Sequence, residues 1–492
     1  MFLTDVAEVA DGDKITGAIL KVAGVVVLGA IMSILDITVV NVALPTFQTT
    51  FGSPGHPLAY STVAWTVTGY TLALATVIPI TGWAADRFGT KRLYMSALAL
   101  FTAGSALCSV ASSISMLIGF RVLQGLGGGM LMPLGMMIVT RAAGPKRMGR
   151  LMAILGVPML LGPIGGPILG GWLIDSASWH WIFLINVPIG VIALFYAFAA
   201  LPKDAPRPSE SFDFLGMLMM SPGLALFLYG VSSIPGEGTV GTPKVLIPAL
   251  IGLALIVAFV LYSFKPEHPL LDLRLFSNRD LAVSIITMFL FAVAFFGGLL
   301  LVPTYFQQIR GESVLKAGLL VAPQGIGAML TMPISGALTD KFPIGRIVPF
   351  GLVFIAVGMG GLTQISSTTP YPVLLGLLFV MGLGMGGTMM PIMTSALKTL
   401  RPVEVARGST LLNITQQIAS SVGVAVMSVI LTNGLKGAKG VAQAANAFAH
   451  TYWVAFALVG LTIVAALFLP REREESHLLD HEETEATPVV VH

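Results

Sequence analysis

A chain of 492 residues that is 55% hydrophobic and 10% charged is not an ordinary soluble protein, which carries about 25% charged residues. The mean hydropathy of +0.87 points to a polytopic, all-α membrane protein. The net charge of +3 says little by itself, and the single cysteine, Cys108, rules out an internal disulfide framework or a cysteine-built metal site.

In chain order, residues 1–19 are mildly acidic and lack the basic start of a cleaved signal peptide, so the first apolar segment is expected to be retained. A bilayer-crossing helix needs about 20 apolar residues. Fourteen such spans are expected, near 20–44, 59–82, 92–111, 115–139, 149–172, 181–201, 213–233, 243–264, 281–307, 315–338, 345–366, 371–398, 406–433 and 450–470. With both ends inside, 21 of the 27 Lys and Arg residues fall in inner segments. Five fall outside (Lys244, Arg310, Lys316, Lys436 and Lys439) and Arg121 lies within a span. Basic residues favour the cytoplasmic side, so both termini are expected in the cytosol, with 471–492 as a short polar tail.

The first span carries the most unusual residue. Asp36 has no basic neighbour within a helical turn or two, and an ionised group at membrane depth costs at least about 2.5–3.5 kcal/mol. Such a carboxylate is either a paired structural group or a titratable site facing a polar path. It lies nine residues before Pro45, about 13 Å in from the outer end of its span. Arg121 lies at a similar depth in the fourth span. If the two spans are neighbours, the charges can neutralise each other, as a permanent salt bridge or as a proton-coupling pair.

The chain also repeats itself. GWAADRF at 82–88 returns as GALTDKF at 336–342, and GLGGGMLMP at 125–133 returns as GLGMGGTMMP at 382–391. Residues 20–201 and 281–470 therefore read as two copies of a six-helix unit, with 202–280 an insertion holding two extra helices. Two like-oriented halves suit a carrier with its site between them. At the repeat offset Asp36 meets Ala294 and Arg121 meets Leu378, so the embedded charges belong to the first half alone.

These segments carry a family resemblance. LDITVVNVALP (35–45), GWAADRFGTKR (82–92), LIGFRVLQGLGGG (117–129), GPIGGPILGG (162–171) and WHWIFLINVPIG (179–190) resemble successive signature motifs of the major facilitator superfamily. With fourteen spans the chain looks like its drug:proton antiporter branch. The resemblance implies the major facilitator fold and a cytoplasmic gating latch at Gly82, Asp86, Arg87, Gly89, Lys91 and Arg92; the charges alone could equally reflect the positive-inside rule. It also implies an exporter motif at the interface between halves, built from Gly162, Gly166, Pro167, Gly170 and Gly171. Four-residue glycine spacing lets another helix approach closely, so plain packing is the competing reading. Gly423, the counterpart of Gly166, suggests a related interface in the thirteenth span. His180 stands where the family often has Arg, and an acid found in the thirteenth span of some relatives is missing.

Asn41, Gln124, Gln324, Asn413 and Gln417 are candidates for a substrate cavity, set against simple helix–helix hydrogen bonding. No GxxxxGK[ST] loop, HExxH or Cys/His cluster marks an ATP or metal site, so an enzyme is not expected. The expected function is proton-driven export of lipophilic or amphipathic compounds across the cytoplasmic (inner) membrane by a monomer. No cofactor beyond the proton gradient and no nucleic-acid partner is expected. The alternatives are a dedicated exporter of a lipid or metabolite, or a non-transporting sensor or assembly factor on the same fold.

Overall fold

A computed structural model describes residues 15–53, 56–143, 147–203, 211–237, 239–266, 269–400, 404–436 and 438–471; the expected acidic start and polar tail lie almost wholly outside them. The described residues form fifteen helices of ten residues or more. The first six are α1 (Gly17–Thr50), α2 (Trp65–Phe88), α3 (Thr90–Ser109), α4 (Ile114–Ala143), α5 (Met148–Ser176) and α6 (Asn186–Ala200). Then come α7 (Phe214–Glu237), α8 (Pro243–Tyr262), α9 (Arg279–Gln308), α10 (Val314–Lys341) and α11 (Ile344–Leu362). The last are α12 (Tyr371–Gly386), α13 (Met389–Lys398), α14 (Val405–Lys436) and α15 (Val441–Ala466).

Among the described residues, twelve helical stretches are long and apolar enough to cross a membrane, with Trp181–Ala200 and Tyr371–Lys398 each counted as one. The helices α3 and α5 fall outside that count but lie among the others, α3 against α4 and α6, and α5 against α1 and α10. One boundary differs clearly from expectation. The last helix begins at Val441, nine residues before the expected 450. The reason is that VAQAANAFAH is too polar to read as a span yet rich in helix-favouring alanine, and Gly440 at φ +104° sets the turn before it.

The sequence repeat is visible as repeated packing. In the first group α1 lies on α5, α2 on α4, and α3 on α6; in the second α9 lies on α14, α10 on α12, and α11 on α15. The groups join through α5 on α10 and α2 on α14. The close approaches across these seams fall toward the face that carries the chain ends. A Cβ on Gly149 would lie 2.4 Å from the Gly336 carbonyl oxygen, and one on Gly336 would lie 2.6 Å from that of Gly149. The two backbones therefore touch, which only glycine permits. On the other seam a Cβ on Gly82 would meet the Thr410 hydroxyl at 3.1 Å and the Ala406 carbonyl at 3.2 Å.

The exporter motif differs from expectation. Gly162, Gly166 and Gly170 face α1 of their own group, against Ile34, Thr38 and Val39. A Cβ at Gly171 would meet nothing within 4 Å, and the side chain of Pro167 lies outside the described residues. The glycines thus permit close packing inside the first group, and the seam to the second group is made by the earlier turns of α5. Gly423 behaves alike: its Cβ would lie 2.3 Å from the Val293 carbonyl of α9, so the repeat holds in packing as well as in sequence.

Candidate functional site

The residue on which the site is built is Asp36, in mid-α1 and 2% exposed. Because α1 lies on α4, α5 and α6, three neighbours can offer it side chains. Arg121 of α4, wholly buried, donates from Nη1 to Asp36 Oδ2. Gln124, one turn along the same face of α4, donates from Nε2 to Oδ1 at 2.9 Å, and Asn186 at the start of α6 donates to Oδ1 at 3.3 Å. A buried charge is tolerable only when paired and hydrogen-bonded, and this carboxylate is both.

Arg121 is held from several sides. Its Nε donates to the Thr66 carbonyl at 3.0 Å, and Nη1 also reaches Gln124 Oε1 at 2.8 Å. Its guanidinium carbon lies 4.2 Å from the centroid of the Tyr70 ring, a cation–π distance. The Tyr70 hydroxyl lies 3.2 Å from Ser33 Oγ. Behind Asn186, its Nδ2 also donates to Ser105 Oγ at 3.1 Å, and Ser105 donates to the Phe183 carbonyl at 3.0 Å. Cys108 Sγ approaches Gln124 Oε1 at 3.6 Å. The cation therefore keeps neutral partners, a carbonyl, an amide oxygen and a ring face, that do not depend on the charge of Asp36.

Asp36 and Arg121, paired on depth alone in the sequence, are brought into contact. Of the five cavity candidates, Gln124 belongs to the Asp36 network and is fully buried. Asn413 donates to its own helix at Ser409 O, at 2.8 Å, and lies 3.1 Å from Met136 Sδ across the seam. Gln324 is 3% exposed and neither of its amide atoms has a partner among the described residues. Asn41 is exposed and donates to Ile37 O of its own helix, while Gln417 is half-buried. Of the five, Gln124 alone hydrogen-bonds into the Asp36 network among the described residues. Asn186, Ser105, Tyr70 and Thr66 were not singled out from the sequence. Asn186 left a signal, as the one amide in the apolar run WIFLINVPIG.

The charged turn after α2 forms a second cluster. Gly89 takes φ +93°, a left-handed conformation natural to glycine, and so turns the chain straight into α3. Arg141 of α4 approaches Asp86 at 3.5 Å and donates to Thr90 Oγ1 at 2.7 Å. Lys91 donates to the carbonyls of Phe198 and Leu201, at 2.7 and 2.6 Å, which fastens α3 to the end of α6. Gly82 makes the α2–α14 seam described above. Arg87 lies near the helix end, and Arg92 is exposed.

The repeated copy of this turn crosses between the groups. Asp340, the counterpart of Asp86, accepts from the Gly149 amide at 2.8 Å and the Arg150 amide at 3.3 Å, at the start of α5. It also accepts from Arg150 Nε at 3.1 Å and lies 3.5 Å from Lys398 Nζ. An acid at a helix start satisfies otherwise unpaired amides and complements the helix dipole. Asp340 therefore fastens α10 of the second group to α5 of the first.

The model of the Major Facilitator Superfamily matches residues 26–424. The chain is 46% identical over 500 residues to the "Multidrug resistance protein B homolog" of Mycobacterium tuberculosis (strain ATCC 25618 / H37Rv), covering 94% of this chain and 92% of that one. It is 30% identical over 415 residues to "Multidrug export protein EmrB" of Escherichia coli (strain K12), covering 82% and 79%. Among solved structures, a double Trp mutant of XylE superposes with a TM-score of 0.65 at 17% identity, over 94% of this chain and 98% of that one. The human organic anion transporter MFSD10 (TETRAN) superposes with a TM-score of 0.61 at 17% identity, over 90% and 99%; these two likenesses speak to the fold. The chain is a multi-span membrane transporter, not an enzyme, and belongs to the Major Facilitator Superfamily.

Proposed function

We infer that this transporter is a proton-coupled exporter of lipophilic and amphipathic compounds, running by alternating access between α1–α6 and α9–α15. The observation that carries the reading is Asp36, a titratable acid buried at membrane depth whose cationic partner, Arg121, keeps neutral partners of its own. Protonation of Asp36 neutralises the carboxylate, and Arg121 stays in place on Thr66 O, Gln124 Oε1 and the Tyr70 ring. A cationic substrate near Asp36 favours the charged form and expels the proton, so proton and cargo exclude each other. The names of the two relatives support export of drug-like molecules.

In this reading α3 and α5 also cross the bilayer, which makes fourteen spans in the antiporter branch. The bias of Lys and Arg puts both chain ends in the cytoplasm of a cell whose inner membrane holds the protein. The seams that close near the chain ends then describe an outward-facing state, latched on the cytoplasmic side by Asp340 and the turn at Asp86. The carrier works as a monomer and needs no cofactor beyond the proton gradient.

The test is dye efflux from proteoliposomes under an imposed proton gradient. Asp36→Asn keeps the side-chain shape and removes titration, so uphill efflux should vanish while downhill exchange of the dye persists. Uphill pumping by Asp36→Asn with unchanged pH dependence would send the proton elsewhere and end this reading.

A further inference from the structure

The insertion between the repeats has no counterpart that would explain it by symmetry, and its packing is one-sided. Of the two seams between the groups, α2 on α14 and α5 on α10, only the first is covered by it: α7 lies on α8, α2 and α14. The hairpin of α7 and α8 is itself a tight unit. A Cβ on Gly252 would lie 2.2 Å from the Phe227 nitrogen, and one on Gly230 would lie 2.7 Å from the Ala249 nitrogen. Its two ends near the chain-end face are tied by one buried carboxylate. Asp213 accepts from the Gly216 amide at 2.8 Å, the Tyr262 hydroxyl at 2.9 Å and the Leu270 amide at 3.0 Å, which locks the start of α7, the end of α8 and the chain beyond.

The contacts of α7 with its two neighbours differ in their aromatic pairs. It is pinned to α2 at both ends by aromatic pairs. Trp65 stacks on Tyr229 at 5.6 Å between ring centroids, and Trp83 meets Phe212 at 4.4 Å. Aromatic pairs at such distances add directional stability beyond area burial. Along its middle, Met220, Leu224 and Leu228 share one apolar cluster with Ala75 and Ile78 of α2 and Ile414 of α14, and Val231 and Ile234 share another with Ala425, against which Phe227 packs, so toward α14 the contacts are apolar and, among the described residues, without an aromatic pair. Smooth aliphatic surfaces in a membrane have no hydrophobic penalty for sliding, because lipid is as apolar as the helix they leave.

We propose that the α7–α8 hairpin moves with the first group as one body, sliding over α14 during the transport cycle, and keeps the α2–α14 seam sealed from lipid in both access states. The proposal rests on the alternating-access reading above. It gives the extra helices a role: the carrier presents only the α5–α10 seam to the membrane, so a lipid-dissolved compound can reach the interior from one side alone.

Two cysteine pairs test it, with the native Cys108 left in place because it is fully buried. One is Trp65→Cys with Tyr229→Cys, across α2 and α7. The other is Ile234→Cys with Ala425→Cys, across α7 and α14. Each is cross-linked in membranes with dibromobimane, which fluoresces when it bridges two thiols, and yields are compared with and without a proton gradient plus dye. The α2–α7 yield should not change, and the α7–α14 yield should fall several-fold when the carrier is driven. After cross-linking, the first protein should still transport and the second should stop. A gradient-dependent yield for the α2–α7 pair, an unchanged yield for the α7–α14 pair, or efflux stopped by the α2–α7 bridge would each overturn the proposal. Uncross-linked pairs measured alongside separate the two readings: gradient-driven efflux with an unchanged α7–α14 yield overturns the hairpin proposal alone, and absence of gradient-driven efflux overturns the exporter reading on which it rests.

Discussion

The closest helix approach beside the ion pair can be tested one methyl group at a time. A Cβ at Gly166 would fall 2.1 Å from Thr38 Oγ1 and 2.4 Å from Thr38 Cβ, more than an ångström inside van der Waals contact, whereas a Cβ at the neighbouring Gly165 would sit 3.5 Å from Leu35 Cδ2, an ordinary contact. Glycine to alanine in mid-helix is worth about 0.8–1.0 kcal/mol of helix propensity. At Gly165 that gain stands alone. At Gly166 it is opposed by overpacking of about 1–3 kcal/mol, for a net loss of up to about 2 kcal/mol. Thr38 is two residues from Asp36, and its hydroxyl already bonds to Ile34 O and Leu35 O, so the strain is relieved by moving α1 from α5. Such a shift also moves Asp36 relative to Arg121. Gly166→Ala should therefore lower the thermal midpoint in detergent and reduce gradient-driven efflux, while Gly165→Ala matches or exceeds wild-type stability. Indistinguishable melting and efflux for the two variants would show that α1 and α5 are not in the contact described.

Three further outcomes follow from single contacts. Asn186→Leu removes a donor to the Asp36 carboxylate, and a hydrogen bond to a charged group is worth about 1.5–3 kcal/mol; efflux should fall about tenfold or more with a displaced pH profile, and a wild-type profile would reduce Asn186 to packing. Asp340→Ala strips the start of α5 of its acceptor, a cap worth about 0.5–2 kcal/mol, so alkylation of a cysteine placed at Ala153 should speed up from the chain-end side; an unchanged rate would mean that Asp340 does not hold the seam. Glu312, in the turn between α9 and α10, is held below the usual carboxylate range by hydrogen bonds from Lys316 and then Tyr371. Because its folded pKa is depressed, its contribution is present above the ordinary carboxylate pKa and lost as pH falls through the folded value. Protection of the amides in that turn, taken relative to the intrinsic exchange rate at each pH, should fall on acidification in wild type and stay flat with pH in Glu312→Gln.

The sequence by itself determined the class, the repeat and the two embedded charges. Those signals are one-dimensional: runs of apolar residues match bilayer thickness, copied motifs keep a fixed offset, and a lone acid among them stands out by its cost. Even the Asp36–Arg121 contact was within reach, since two residues at equal depth on neighbouring helices have little else to meet. Partner choice around a helix was not legible, because it depends on which face of a helix meets which neighbour, and a nearly uniform apolar stretch leaves that azimuth unmarked. Hence Gly166 turned out to face Thr38 of its own group, and Gln124 to bridge Asp36 and Arg121 rather than line an opening. Asn186 joined the site only because the start of α6 arrives beside α1. Likewise the repeat revealed that 202–280 is inserted, but only the packed helices decided that it covers one seam and leaves the other bare.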